Sequence, residues 1–257
     1  IDTAPNGNEY YNLGVYINEI DKKSGNYSGD QEIHAFYSMI DLPLTKKFRL
    51  ISGVRFEHTD MEVISEDTTL EKGKIQTDDL LPSVNLIYQV MDNMNLRLAY
   101  GRTLARPTFR EISTFASFDF NGGDTYIGNP FLKRTLIDNF DIRWEWFSRP
   151  GELYAVSAFW KDFYDPIETV IIDVNYNIQW KNVNKARVAG LEFEFRKKMD
   201  IFHEKLEHFL FGSNLSLVHS QVDISQDELT MIRSTRPDAS SSREFQGQSP
   251  YILNFFI

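Results

Sequence analysis

The sequence contains no cysteine and no long uninterrupted apolar stretch. The missing cysteine excludes a disulfide scaffold and a metal site built from thiolates. A transmembrane helix needs about 18 or more consecutive apolar residues, so none of these 257 residues can form one. The amino-terminal segment also lacks the basic and apolar regions of a signal peptide, so we expect a removed signal or an internal piece of a longer protein.

Basic residues are few relative to acidic ones. Lys and Arg number 27 against 37 Asp and Glu, which gives a formal net charge of −10. This balance argues against a nucleic-acid partner, because phosphates are bound by a basic surface. The nucleotide motifs GxGxxG and GxxxxGK are absent, and no serine, histidine and acid arrangement stands out. We therefore expect no enzyme, no cofactor and no metal site.

Aromatic residues, by contrast, are abundant at 14% of the chain, with 20 Phe and 12 Tyr. The mean hydropathy of −0.37 is typical of a soluble protein. A membrane β-barrel has a similar average, because its strands alternate lipid-facing and lumen-facing residues, and its aromatic girdles raise the aromatic share. Composition therefore leaves a soluble β-sandwich and a membrane β-barrel open.

A period of two dominates the sequence after the first thirty residues. Between Phe48 and Glu57 apolar residues occupy alternate positions, with Ile51 as the one misfit. Because successive side chains of a strand point to opposite faces, this segment predicts a strand with one apolar and one polar face. The remaining predicted strands lie at 31–41, 83–90, 95–101, 139–146, 153–163, 189–196, 209–217 and 249–257. The sequence thus predicts an all-β fold of about nine strands.

The connections between these strands alternate in length. Short connections are predicted near 43–46, 91–94, 148–152 and 198–205, and long polar ones near 65–77, 104–135, 165–178 and 225–248. Hairpins with short turns at one end and long loops at the other are typical of outer-membrane barrels. Several runs also reach about 9–11 residues, which is enough to cross a bilayer when tilted. We therefore predict an all-antiparallel, strongly tilted transmembrane sheet, with a soluble sandwich as the alternative.

Five segments, in this order, resemble a known family. They are LLPSVNLIYQV, MNLRLAYGRTLARPTFREIS, GNPFLKRTLIDNFDIRWEWF, NVNKARVAGLEFEFRKK and QGQSPYILNF. Together, over residues 30–257, they are similar to successive barrel segments from the middle of TonB-dependent receptors. The resemblance implies a barrel of about 22 strands with a plugged lumen. It also implies energy-coupled import of a scarce ligand across the outer membrane of a Gram-negative bacterium.

The resemblance sets further expectations about organisation and partners. We expect residues 1–30 to be a loop or extracellular segment and residues 31–257 to be part of the barrel wall. A plug domain and the closing carboxy-terminal strands are not recognisable, so we expect a fragment of a longer receptor. The implied partners are outer-membrane lipid, an inner-membrane energy-coupling complex acting through the plug, a small ligand, and a surface lipoprotein as a further candidate.

Two sets of residues are candidates for function. Cationic and aromatic side chains in and beside the longest loop suit an anionic or planar ligand: Arg102, Arg106, Phe109, Arg110, Phe115, Phe118, Phe120 and Tyr126. Charged residues on the polar side of the strands are predicted to face the lumen: Arg55, Glu57, Arg97, Asp141, Arg143, Glu145, Glu192, Glu194 and Arg196. The simpler interpretation of the loop set is that its arginines pair with nearby acids such as Glu111, and that its aromatic rings pack onto a plug.

The predicted function is therefore a gated importer for a siderophore, a corrinoid, a sugar or a peptide. The first alternative is an ungated porin-like barrel or an adhesin built on the same strands. A plug sequence upstream of this segment would distinguish the importer from this alternative. A soluble β-rich binding domain is the third possibility, and dependence on detergent separates that one.

Overall fold

The computed structural model describes residues 2–3, 7, 9–10, 25–67, 69–119, 123–173 and 177–257. Nine long strands form one sheet in which each strand is hydrogen-bonded to the next along the chain. They are β1 (Tyr27–Pro43), β2 (Phe48–Ser65), β3 (Gly73–Met91), β4 (Met94–Ala105), β5 (Thr135–Trp146), β6 (Leu153–Tyr164), β7 (Lys185–Lys198), β8 (Leu210–Asp223) and β9 (Tyr251–Phe256). The prediction of about nine strands is confirmed, and the sheet is open at β1 and β9.

The connections follow the predicted alternation. Those at one end span 44–47, 92–93, 147–152 and 199–209, and those at the other span 66–72, 106–134, 165–184 and 224–250. The connection predicted at 65–77 is shorter, because β2 and β3 continue to Ser65 and back from Gly73. The predicted loop over residues 1–30 lies largely outside the described residues, and β1 already begins at Tyr27. Two strands of two residues each, Asp2–Thr3 and Glu9–Tyr10, pair with one another in antiparallel orientation.

The connections carry most of the remaining secondary structure of the described residues. Four short strands form a second sheet: Ala116–Phe118, Thr125–Ile127, Ile167–Ile171 and Ile178–Asn182. A two-residue strand, Ser242–Arg243, pairs with the end of β8. Among the described residues, the helices are α1 (Phe109–Ile112) and α2 (Gln226–Thr235), and two single 3-10 turns span Met199–Ile201 and Glu204–Leu206. No helix among the described residues is long and apolar enough to cross a membrane.

The prediction that every strand pair is antiparallel is wrong at one place in the second sheet. Tyr126 and Ile127 pair in parallel with Ile178 and Gln179. These residues belong to two different long connections that lie side by side, so no hairpin turn fixes their relative direction. All pairs of the nine-stranded sheet are antiparallel.

One face of the nine-stranded sheet is apolar. The register aligns a single row of side chains across seven neighbouring strands, β2 to β8: Leu50, Leu86, Leu98, Ile142, Ala158, Leu191 and Leu217. Many side chains of this face are solvent-exposed, among them Leu191 at 44% and Ile142 at 43%. A broad exposed apolar surface on a sheet is the surface that lipid covers in a transmembrane barrel. We call it the apolar face, and its opposite the polar face.

Charged residues bound the apolar face at both ends. On β7, Arg187 pairs with Asp162 at 3.4 Å near the long connections, and Lys197 pairs with Glu152 at 2.9 Å near the short ones. The two basic residues are ten positions apart, which is about 34 Å along a strand. At a tilt of 35–45° this corresponds to a height of about 24–28 Å, close to the apolar band of about 25 Å in outer-membrane barrels.

Aromatic rings line the apolar face at its short-turn end. Ring contacts run from β5 to β9 with centroid distances of 5.2, 5.3, 6.2 and 6.1 Å, through Trp146, Tyr154, Phe195, Phe211 and Phe255. Aromatic side chains favour the membrane–water boundary because one part of the ring system is apolar and another is polar or polarisable. This chain of rings is the aromatic girdle expected from the composition.

A buried carboxylate ties two of the short connections together. Glu152 is almost fully buried and accepts hydrogen bonds from Arg149 at 2.6 Å, Ser148 at 2.7 Å and Lys197 at 2.9 Å. The Arg149 guanidinium, aided by Lys197 and Ser148, holds the pKa of Glu152 well below its usual range although burial opposes this. Arg149 also binds Asp200, so the 147–152 and 199–209 connections share one ionic cluster.

We expect labels at adjacent positions of β7 to report opposite environments. A nitroxide at Leu191→Cys collides with oxygen dissolved in lipid, and one at Glu192→Cys collides with a water-soluble nickel complex, because alternation puts them on opposite faces. Power-saturation electron paramagnetic resonance in lipid nanodiscs measures both. Equal or reversed accessibilities contradict the assignment of the faces.

We expect Glu152→Gln to lower the thermal unfolding midpoint by a few degrees at neutral pH. The depressed pKa of Glu152 stabilises the fold fully above the unfolded-state pKa of about 4.3, and this contribution is lost as the pH falls from there through the folded-state pKa. The difference from the parent protein should therefore shrink in acid, as followed by circular dichroism in detergent. Glu207→Gln, at an exposed position of the same end, is the control and should change little at any pH.

Candidate functional site

The connection between β4 and β5, residues 106–134, folds back over the polar face. Its Ile112 and Leu132 are buried against Met61 and Val63 of β2 and Ile75 of β3. The approach is close, since a Cβ atom at Gly73 would lie 2.7 Å from the Ile112 side chain. Burial of these side chains removes apolar surface from water and stabilises the folded-back position. The longest connection is therefore packed onto the wall of the sheet.

Helix α1 forms the turn that brings this connection back. Thr108 accepts a hydrogen bond from the Glu111 backbone, and the Glu111 side chain accepts one from the Thr108 backbone, which completes a capping box. Pro107 precedes the cap and restricts Arg106 to an extended conformation. Glu111 thus caps the helix, and it is not the ionic partner that we considered for the nearby arginines.

Two arginines form ion pairs that hold the connection against the polar face, and we call these two pairs the clamp. Arg106 pairs with Glu57 of β2 and donates to the Thr59 hydroxyl at 2.8 Å. Arg134, at the other end of the connection, pairs with Asp79 of β3 at 2.5 Å. The carboxylates of both pairs are largely buried. Because a buried carboxylate without its partner is costly, these two pairs fix where the connection leaves and rejoins the sheet.

The tip of the connection forms a cluster around Arg110. The guanidinium lies 5.2 Å from the centre of the Phe115 ring and 5.8 Å from that of Trp180, and it donates to the Ser117 hydroxyl. The Trp180 ring is also 5.6 Å from Tyr126. Cation–π attraction to two rings orients the guanidinium, but Arg110 takes part in no ion pair among the described residues. We call Arg110, Phe115, Tyr126 and Trp180 the Arg110 cluster.

The other loop candidates have different placements. Arg102 is not a loop residue: it lies within β4 on the apolar-face side and pairs with Asp138 at 2.7 Å, because β4 continues to Ala105. Phe109 packs against Gly29 and the buried cluster under the connection. Phe118 is exposed, and Phe120 lies outside the described residues. Arg106 acts in the clamp, so Arg110, Phe115 and Tyr126 are the candidates that the fold brings together.

The structure adds two residues that the sequence analysis did not single out. Trp180 belongs to the 165–184 connection and joins the Arg110 cluster from a position 70 residues away. Phe131 is 74% exposed near the end of the 106–134 connection. An aromatic residue in a polar loop was the available signal for both. The nearness of Trp180 to Arg110 depends on which loops meet, which local patterns do not reveal.

The charged residues predicted on the polar side of the strands lie on one face in the register. Arg143 is the centre of a chain of alternating charges that crosses the wall from β4 to β7. Its members, in order, are Arg97, Glu145, Arg143, Glu194 and Arg196, with ionic distances of 2.7, 3.2, 2.7 and 2.6 Å. Of the remaining polar-face candidates, Arg55 pairs with Glu57, whereas Asp141 and Glu192 are exposed and enter none of the described ion pairs.

Metal binding has no support in the described part of the chain, where no group of three or more His, Asp or Glu side chains is arranged to hold an ion. The arrangement at the long-connection end instead offers a fixed cationic group among aromatic rings. Such a surface suits binding of an anionic, planar ligand.

Comparison with protein families identifies the family to which this sheet belongs. The model of the family described as TonB dependent receptor-like, beta-barrel matches residues 2–254. The chain belongs to the TonB-dependent receptor family. Comparison with curated protein sequences gives no match. A sheet of this family lies in the outer membrane of a Gram-negative bacterium, where a barrel has an apolar outer surface toward lipid.

Several solved structures resemble this receptor barrel. The ferric-catecholate import receptor Fiu from E. coli K12 is 14% identical with a TM-score of 0.63, over 95% of this chain and 34% of that one. A mutant ferric enterobactin receptor from Pseudomonas aeruginosa, in complex with enterobactin, is 19% identical with a TM-score of 0.53, over 75% and 30%. The FrpB iron transporter from Neisseria meningitidis is 13% identical with a TM-score of 0.54, over 80% and 28%. The likeness concerns the fold, and the chain spans about a third or less of each structure.

We expect Arg106→Ala to loosen the 106–134 connection. The mutation removes hydrogen bonds to a buried carboxylate and to Thr59, so the free energy of local opening should fall by about 1.5–3 kcal/mol. Arg55→Ala is the matched control, because Arg55 binds the same Glu57 carboxylate from an exposed position, and it should cost less than about 1 kcal/mol. Hydrogen exchange of residues 108–119 measures the opening. Similar effects of both mutations contradict the clamp.

Proposed function

We propose that this chain forms part of the wall and the ligand-binding mouth of an energy-coupled importer. The observation that carries the proposal is the family match over residues 2–254, on a sheet whose apolar face fits the thickness of an outer membrane. The predicted lumen side is the polar face, which carries the Arg97–Arg196 chain of charges. A hydrated lumen wall accounts for those charges without catalysis.

We further propose that the barrel is completed by strands that pair with β1 and β9. Both strands are hydrogen-bonded on one side only in the described sheet. An unpaired strand edge cannot face hydrocarbon, because its N–H and C=O groups have no hydrogen-bonding partner there. An energy-coupling complex of the inner membrane would act through a plug domain inside the completed barrel. A surface lipoprotein is a further candidate partner at the long connections.

For the ligand we propose a ferric siderophore with anionic character, bound at the Arg110 cluster. The guanidinium of Arg110 is oriented by Phe115 and Trp180 and has no carboxylate partner in the described ion pairs. The exposed rings of Phe118 and Phe131 lie in the same connection. Two of the similar structures are a ferric-catecholate import receptor and a ferric enterobactin receptor, and the ligands in their names belong to this class. Corrinoids, sugars and peptides are the alternatives.

We expect Arg110→Ala to weaken siderophore binding. Loss of a charge-assisted contact of about 1.5–3 kcal/mol corresponds to a roughly 10- to 100-fold rise in Kd. Lys133→Ala, an exposed basic change in the same connection, should leave Kd unchanged and controls for net charge. Titration of the purified full-length receptor with ferric catecholate and hydroxamate siderophores, cobalamin, maltodextrins and oligopeptides measures the affinities.

The outcomes of this titration separate the proposals. Binding of a siderophore that Arg110→Ala weakens and Lys133→Ala does not supports both the class of ligand and the site. Tight binding of a corrinoid, a sugar or a peptide alone contradicts the ligand class. Siderophore binding that is insensitive to Arg110→Ala contradicts the site. Growth on the bound compound that requires the energy-coupling complex tests import itself.

A further inference from the structure

The connection between β7 and β8, residues 199–209, differs from the other connections at its end of the sheet. The others span 44–47, 92–93 and 147–152, whereas this one has eleven residues and two 3-10 turns. Ile201 is 63% exposed and Phe202 is 76% exposed. Two adjacent, large apolar side chains in water are unfavourable, so this exposure indicates a surface that something apolar covers.

An ion pair holds the 199–209 connection against the neighbouring 147–152 connection. Asp200 accepts hydrogen bonds from both terminal nitrogens of Arg149, at 3.0 and 2.9 Å. Arg149 is itself bound to the buried Glu152 of the 147–152 connection. The 3-10 turn that begins with Met199 is therefore fixed beside the wall, at the charged boundary of the apolar face, and Ile201 and Phe202 are fixed with it.

The apolar face continues into this connection. The Met199 backbone N–H donates to the Phe209 carbonyl at 2.9 Å, which extends the ladder between β7 and β8 by one pair. Alternation from Phe195 and Phe211, which belong to the aromatic girdle, puts Met199 and Phe209 on the apolar-face side. Phe209 is 51% exposed. Apolar side chains on this side of the sheet thus continue past Lys197 to Met199 and Phe209, and the exposed Ile201 and Phe202 follow in the same connection.

We propose that the 199–209 connection is an interfacial membrane anchor. Ile201, Phe202 and Phe209 insert at the boundary between headgroups and acyl chains of the leaflet at the short-turn end, and the polar residues 203–205 remain in water. Phospholipid is the occupant because the patch is continuous with the lipid-covered face and is bounded by charged side chains suited to headgroups. Arg149 is the positioning residue, since it fixes the turn through Asp200.

These 257 residues contain no cysteine, so an introduced cysteine is the single labelling site within this segment. We would label Phe202→Cys and Lys205→Cys with a nitroxide in the full-length receptor, reconstituted in nanodiscs of phosphatidylethanolamine and phosphatidylglycerol. Both positions are exposed and three residues apart in one connection, so they form a matched pair. We expect the ratio of oxygen to nickel-complex accessibility to be several-fold higher at 202 than at 205. Adding Arg149→Ala should lower the ratio at 202 and leave it unchanged at 205.

Two results would overturn the anchor. If both labels collide freely with the water-soluble nickel complex, the connection projects into solvent. If the label at 202 is shielded from oxygen and nickel complex alike, a protein surface covers it, either a partner or a second copy of the receptor. A label at Leu191→Cys in the same nanodiscs gives the reference value for full lipid exposure.

Discussion

Hydrogen bonding of the backbone in a medium without water is the constraint on which this structure depends. Each N–H and C=O group in the hydrocarbon needs a partner within the protein. Strands of up to 19 residues meet that need by pairing with their neighbours in the sequence: β2 to β8 pair on both sides, and β1 and β9 pair on one side in the described sheet. Alternation along such ladders separates side chains into two faces, so lipid contact on one side and charge on the other follow from the same hydrogen bonds.

The polar face shows how charges are accommodated on such a wall. Arg143 contacts Glu145 and Glu194 on either side and the Ser157 hydroxyl at 3.1 Å, so its cationic group has partners on three strands. Alternating charges of this kind leave little net charge on the surface, and the ion pairs keep these long side chains against the sheet. The arrangement fits a surface that must be hydrated and that also meets other parts of a receptor.

The long connections follow a different principle, because they have water as a solvent and fold by burying apolar side chains. The 106–134 connection packs Ile112 and Leu132 onto β2 and β3 at the long-connection end of the sheet. The ion pairs of Arg106 and Arg134 fix where the connection leaves and rejoins the sheet. This packing accounts for the extension of β2 and β3 past the apolar face. It also brings Arg110 to Trp180, so the candidate binding cluster is a consequence of how the connections fold onto the wall.

The sequence by itself determined the number of strands, their faces and the alternation of connection lengths, because each depends on a period of two and on local turn composition. Leu191 and Glu192 illustrate this, since adjacent residues must point to opposite faces. The tertiary structure alone decided that Arg102 belongs to a strand and pairs with Asp138, and that Trp180 meets Arg110. It also decided the parallel pair between Tyr126 and Ile178. These contacts join residues far apart in the chain, and their energies depend on which loops share a surface, which no local pattern encodes.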